Sequence, residues 1–174
     1  SNLIGECTWS DIRVKRWNGT SWDWLSDIRI TSALSINPSL SIDSMDIPVV
    51  AYQENDSIRV KRWNGNILLS KWNFLGDPLD RSVSNQAIHP SLDLRTDGNP
   101  VVAWTGVMFE STTNSIYSYL LVKRWNGTVW VSIESTAASL NRSKVKNASL
   151  PSLAVGSNNS ISIGFQESDG VSTN

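Results

Sequence analysis

The sequence predicts an all-β protein: a β-propeller built of four-stranded antiparallel blades, about three of them in 174 residues. Three observations predict it. The phrase Val-Lys-Arg-Trp-Asn-Gly occurs at 14–19, 60–65 and 122–127. A second phrase, Pro-Ser-Leu, interleaves with it at 38–40, 90–92 and 151–153. Short apolar runs bounded by Asn, Asp and Gly fill the space between them. A repeat of roughly 45 to 60 residues made of short strands marks a radial β array.

The elements follow in order. Aligning Ile12 with Ile58 sets Leu3-Ile4-Gly5 on Val49-Val50-Ala51, so the sequence is expected to open in the second strand of a partial blade, 1–33. A whole blade, 34–84, comes next. Its first strand, Pro38 to Asp43, alternates apolar and polar residues as a half-buried strand does. Ser44-Met45-Asp46 turns the chain into Ile47 to Tyr52, and Ser57 to Trp63 is the third strand. Asn64-Gly65 predicts a two-residue hairpin, since both central positions of that turn need positive φ. Asn66 to Phe74 is the fourth strand.

The blade at 85–140 repeats the plan. Its strands are Pro90 to Leu94, Pro100 to Trp104, Ile116 to Trp125 and Thr128 to Ile133, with turns at Asp97-Gly98-Asn99 and Asn126-Gly127. A last partial blade, 141–174, is expected to stop as its third strand begins, because Gly164 to Asp169 matches Ala51 to Asp56. Propellers close with about four to eight blades. The expected partner is therefore the remainder of a longer propeller, or further copies of this chain in a homo-oligomer.

Composition narrows the function. Net charge is −1, from 15 basic and 16 acidic residues, which leaves no basic excess for nucleic acid. One cysteine, Cys7, forms no intrachain disulfide framework. No apolar run reaches membrane-spanning length, and no secretory signal heads the sequence. Six Asn-x-Ser/Thr acceptors, at Asn18, Asn55, Asn126, Asn141, Asn147 and Asn158, fit a secreted or cell-surface setting or simply a polar β surface.

Nine tryptophans are many for this length. Pairing across a two-residue turn sets Lys123 opposite Trp130 and Trp125 opposite Thr128; Lys15 and Trp22 repeat this, with Leu68 in the place of the second Trp in the middle copy. Such faces serve blade-to-blade packing, or an aromatic platform for a sugar ring.

Variation between the copies is directional. The first-to-second-strand turns and the Asn-Gly turns keep their length. The second-to-third-strand loops and the links between blades do not: the third copy inserts 106–115, and the Asp77 to His89 link is longer than its counterpart. Both variable classes emerge on one rim, and binding sites favour variable loops on a rigid scaffold. The candidate ligand-binding residues are Tyr52, Glu54, Trp104, Phe109, Glu110 and Glu167; the competing reading places Tyr52 and Trp104 in the core.

Catalytic motifs are sparse. With one histidine, His89, and one cysteine, no zinc set assembles. No Gly-x-Ser-x-Gly elbow and no phosphate-cradling glycine loop occur. Glu54 and Glu167 occupy equivalent positions, as paired glycosidase carboxylates do, but repetition accounts for both. Asp43 to Asp46 and Asp97 to Asn99 supply too few oxygens for calcium and read as turns. No cofactor or metal is expected.

The succession Pro-Ser-Leu, a short Asp/Asn/Gly turn, Pro-Val-Val-Ala-Trp/Tyr and Val-Lys-Arg-Trp-Asn-Gly-Thr-x-Trp resembles the repeats of bacterial and archaeal extracellular β-propellers, including sialidase-like propeller lectins. The resemblance spans nearly the whole chain and implies a propeller fold. The Ser-x-Asp-x-Gly-x-Thr-Trp boxes and arginine triad of sialidases are not found, so no catalytic residue is carried over. The expectation is a non-enzymatic extracellular module that binds carbohydrate or a cell-surface protein through its variable rim. The alternatives are a structural propeller segment of a larger surface protein, or a glycoside-active enzyme.

Overall fold

A computed structural model describes residues 10–28, 34–65, 72–79, 86–112, 114–133, 140–141 and 147–168. The described residues form an all-β, propeller-like array of antiparallel sheets in four groups. The first is the hairpin β1 (Ile12–Trp17) and β2 (Trp22–Ile28). The second is the meander β3 (Ser35–Ile42), β4 (Pro48–Glu54), β5 (Ser57–Trp63) and β6 (Trp72–Phe74). The third repeats it with β7 (Gln86–Leu94), β8 (Pro100–Glu110), β9 (Ser115–Trp125) and β10 (Trp130–Ser132). The fourth is the pair β11 (Asn147–Val155) and β12 (Ile161–Ser168). Leu3-Ile4-Gly5 and Asp169, which the repeat assigned to flanking strands, lie outside the described residues, as does Cys7.

The sheets stack in chain order with the core between them. Ile12 and Val14 of β1 meet Val50 and Tyr52 of β4. Val49, Ala51, Ile58 and Val60 meet Leu92, Val102 and Trp104 of the third sheet. Val101, Ala103 and Val122 meet Leu153, Val155, Ile161 and Ile163. Covering both faces explains why β4 is buried along its whole length and reads as a continuous apolar run rather than an alternating one.

The Pro-Ser-Leu phrase locks neighbouring sheets together. Ser39 Oγ accepts from the Leu92 N–H at 2.9 Å, and Ser91 Oγ accepts from the Leu153 N–H at 2.9 Å. Each proline follows a residue in the left-handed region: Asn37 at φ 54°, His89 at 52° and Leu150 at 53°. The pairing register shifts at each of these points, between Ile36 and Ser39, Ile88 and Ser91, and Ser149 and Ser152. Proline has no N–H to give to a ladder, so each first strand bulges past it.

The Val-Lys-Arg-Trp phrase divides its labour. Val14, Val60 and Val122 are core residues. Lys15 lies 4.2 Å over Trp24 and Lys61 4.2 Å over Phe74. Arg16 and Arg62 donate to the carbonyls of Asp46 and Gly98, equivalent positions in the next sheet's first turn. The tryptophans pair across the hairpin: Trp17 with Trp22, Trp63 with Trp72 and Trp125 with Trp130, with centroids 5.4 to 5.7 Å apart.

That pairing corrects the expected hairpin register. Trp125 stands opposite Trp130, not Thr128, and Lys123 opposite Ser132. The Asn126 N–H donates to the Val129 carbonyl, and Asn126 Oδ1 accepts from the N–H groups of Thr128 and Val129. Asn18 closes the first hairpin the same way, accepting from Thr20 and Ser21. The asparagine side chain thus spans a four-residue loop, and the two-residue turn does not form. In the middle copy Trp72, not Leu68, is the second tryptophan of the pair. The fourth strand there is described only over Trp72–Phe74; 66–71 lie outside the described residues.

Candidate functional site

The 106–115 insertion is not a loop. β8 runs on to Glu110 and β9 starts at Ser115, with Gly106↔Tyr119, Met108↔Tyr117, Phe109↔Ile116 and Glu110↔Ser115 in register. The third sheet therefore projects a two-stranded ribbon beyond the point where the equivalent β4 ends at Glu54. The apolar run Val107-Met108-Phe109 and the β-favouring Ile116 to Tyr119, either side of the turn-rich Ser-Thr-Thr-Asn, are the signal that sequence reading missed.

Alternation assigns the ribbon's faces. Trp104, Gly106 and Met108 share the face that packs lower down on the second sheet, and Tyr117 and Tyr119 stand opposite Met108 and Gly106 on it. Phe109 and Ile116 share the other face, exposed at 49% and 65%. Tyr117 and Tyr119, two residues apart, make an adjacent half-buried aromatic pair, with the buried Gly106 opposite Tyr119. Burial raises the Tyr119 phenol above its ordinary range, with smaller contributions from Tyr117 and Glu110. Glu110 accepts from the Thr112 hydroxyl at 2.7 Å and from the Thr112 N–H, and these bonds hold its carboxyl below the usual range.

A polar strip runs along the same rim at the ends of the second and third sheets. The Arg59 Nε–H donates to Glu54 Oε2 at 2.8 Å. Asn37 donates to Gln53 Oε1 at 3.1 Å. At the equivalent positions of the next sheet stand His89 and Thr105, whose Nδ1 and Oγ1 are buried without a hydrogen-bond partner. His89 is thus a bulge residue of the same class as Asn37.

The predicted site residues separate. Tyr52 and Trp104 are at 0% and 1% exposure, so their assignment as ligand contacts is corrected: both fill the core between sheets. Burial pushes the Tyr52 phenol well above its ordinary range, with Glu54 adding to the rise and Arg59 opposing it. Glu54 is buried beneath its arginine. Phe109 and Glu110 lie on the ribbon, on opposite faces. Glu167 lies on β12 opposite Ala148, in a different sheet from Glu110.

The turn aspartates act on backbone. Asp43 Oδ1 accepts from the N–H groups of Met45 and Ile47, and Asp97 Oδ1 from that of Asn99. Asn18, Asn126, Asn141, Asn147 and Asn158, five of the six acceptor asparagines, likewise bond to backbone N–H groups of turns or of β9.

No family model matches the chain, and no curated relative does. Among solved structures it is similar to an endo-arabinase from Bacteroides thetaiotaomicron VPI-5482, at 18% identity and a TM-score of 0.47. The match covers 87% of this chain and 58% of that one. That protein is an endo-arabinase and not a sialidase-like lectin. Beside an endo-arabinase neighbour, the expectation of a non-enzymatic module, which rested on missing linear motifs, is withdrawn. The assignment "not an enzyme" is withdrawn.

Proposed function

We propose that this chain is part of a carbohydrate-recognising β-propeller of four-stranded blades, about three in number, and that its sugar contacts lie on the ribbon. The observation that supports the reading is the half-buried Tyr117 and Tyr119 pair on one face of the ribbon, with the Glu110 carboxylate at the tip of that face. Phenol rings offer apolar faces to the C–H side of a pyranose or furanose and a hydroxyl to its polar edge. Glu110 adds acceptors for sugar hydroxyls, held in place by Thr112. The ligand class is a neutral polysaccharide, since the Glu110 carboxylate at this face, held below the usual range by Thr112, disfavours an anionic one.

The test is calorimetric titration of the 174-residue chain with a panel of neutral oligosaccharides, arabino-oligosaccharides included, with reducing-end release followed in the same samples. Binding to at least one class is expected, weakened ~10-fold or more by Tyr119→Ala. A panel without binding, or binding indifferent to Tyr119→Ala, overturns the reading. Reducing-end release lost in Glu110→Gln would assign glycoside chemistry to the same face.

A further inference from the structure

The Asn-x-Ser/Thr motifs divide between the two rims of the array. Asn18 and Asn126 lie in the loops that join β1 to β2 and β9 to β10, and Asn158 lies in the turn between β11 and β12. In a meander these connections leave the sheets at one end, the uniform rim. Asn55, between β4 and β5, and Asn141 and Asn147, at the entry to β11, lie at the other end, with the ribbon. A glycan joins such a motif at the asparagine Nδ2, and the motif is read through its Ser or Thr. A usable site therefore exposes both residues and leaves Nδ2 unclaimed.

Asn126 meets these conditions. Asn126, Gly127 and Thr128 are all exposed. Oδ1 caps the loop, accepting from the N–H groups of Thr128 and Val129 at 2.9 and 2.8 Å. Nδ2 takes no part in that cap, so a sugar on it leaves the hairpin closed. Asn158 repeats the arrangement: it and Ser160 are exposed, and its Oδ1 accepts from the Ser160 N–H at 3.0 Å.

The other motifs fail one condition each. Asn18 has the same Asn-Gly-Thr and the same cap through Oδ1. Its Nδ2, however, donates to Asp23 Oδ2 at 2.7 Å and to Ser21 Oγ at 3.0 Å. The counterparts in the other hairpin are Val129 and Val131, which carry no side-chain acceptor. Asn141 is half-buried, with Oδ1 accepting from the Leu120 N–H and Nδ2 donating to the Ser118 carbonyl at 2.8 Å. Asn147 is half-buried and bridges β11 to β9, accepting from the Ser118 N–H. At Asn55 the third residue of the motif, Ser57, is buried at 7% exposure.

We propose that Asn126 and Asn158 are N-glycosylation sites of the folded chain, and that the uniform rim is its glycosylated face. The donor is an oligosaccharide carried on a polyprenyl pyrophosphate. Nδ2 bonds to the sugar C1, the C1–O bond to the pyrophosphate breaks, the pyrophosphate leaves with the electron pair, and Nδ2 gives up one proton to water. Glycans so placed stand at the far end of the sheets from Tyr117 and Tyr119 and leave the ribbon free.

The test is transfer in vitro to the purified, folded 174-residue chain. A single-subunit oligosaccharyltransferase is supplied with a polyprenyl-pyrophosphate oligosaccharide, and occupied sites are read by peptide mass spectrometry. Synthetic peptides carrying each motif are run beside the chain and are all expected to accept, which assigns any selectivity to the fold. In the folded chain Asn126 and Asn158 are expected to be occupied, Asn55, Asn141 and Asn147 bare, and Asn18 occupied ~5-fold less than Asn126. Ser21→Val with Asp23→Val, both at exposed positions, is expected to bring Asn18 to the level of Asn126. A folded chain bare at Asn126 or Asn158, a glycan on Asn55, Asn141 or Asn147, or an Asn18 indifferent to the paired substitution overturns the proposal.

Discussion

At the scale of the residue, the repeat explains positions that propensity leaves odd. Leu150 adopts φ 53° because Asn37 and His89 fill the same bulge in the preceding sheets, and the fold imposes the conformation on whichever residue stands there. A leucine in that region carries a strain of about 1 kcal/mol that asparagine largely avoids. Leu150 is exposed, so Leu150→Asn gives up little packing and is expected to raise stability by about 1 kcal/mol in urea unfolding. Tyr52 offers a second case. Its hydroxyl is buried without a partner, and Tyr52→Phe removes that group while keeping the ring, so a gain of about 1 kcal/mol is expected. The pH dependence has a definite sign. The folded-state pKa is raised, so this tyrosine's contribution is full below the unfolded value near 10 and is lost as pH rises through the folded value. Chemical denaturation from pH 9 upward should show that loss in the wild type and its absence in Tyr52→Phe.

At the scale of the element, the hairpin tryptophans show how much of the design was legible. Their repetition marked them as packing groups, and the structure seats Trp130 on the second sheet, its indole N–H donating to the Leu75 carbonyl at 2.7 Å. Their register was not legible, because Asn-Gly also opens a four-residue loop when the asparagine side chain caps it. Residues 106–115 were read as a loop for a similar reason: the turn residues Ser-Thr-Thr-Asn outweighed the apolar run Val107-Met108-Phe109 beside them. Gly76 tests the packing. It sits at φ 68°, and a Cβ there would come within 2.6 Å of Trp125. Gly76→Ala therefore combines backbone strain with a clash against a rigid ring, and is expected to cost about 3 kcal/mol in thermal or urea unfolding. A cost below a few tenths of a kcal/mol would mean that this contact between sheets does not hold.

At the scale of the whole molecule, the stack turns one repeated unit into a scaffold with a single distinctive feature. The radial plan was legible because each sheet spends the same residues on the same contacts: serine on the next leucine, arginine on the next turn, valine on the core. The site was legible only to the level of a rim. Phe109 and Glu110 belong to the ribbon, but Tyr117 and Tyr119 carry no motif and gain meaning only once the strand register sets them side by side on one face. Tyr52 and Trp104 could be read either as rim contacts or as core, because covering both faces of a strand erases the pattern that separates inside from outside. The central claim, that the Tyr117 and Tyr119 face contacts carbohydrate, is tested most directly by saturation-transfer difference NMR with a bound neutral oligosaccharide. Enhancement at the sugar C–H protons should vanish in Tyr119→Ala and persist in Phe109→Ala, which alters the opposite face of the same ribbon. Enhancement that survives Tyr119→Ala, or that depends on Phe109 instead, would contradict it.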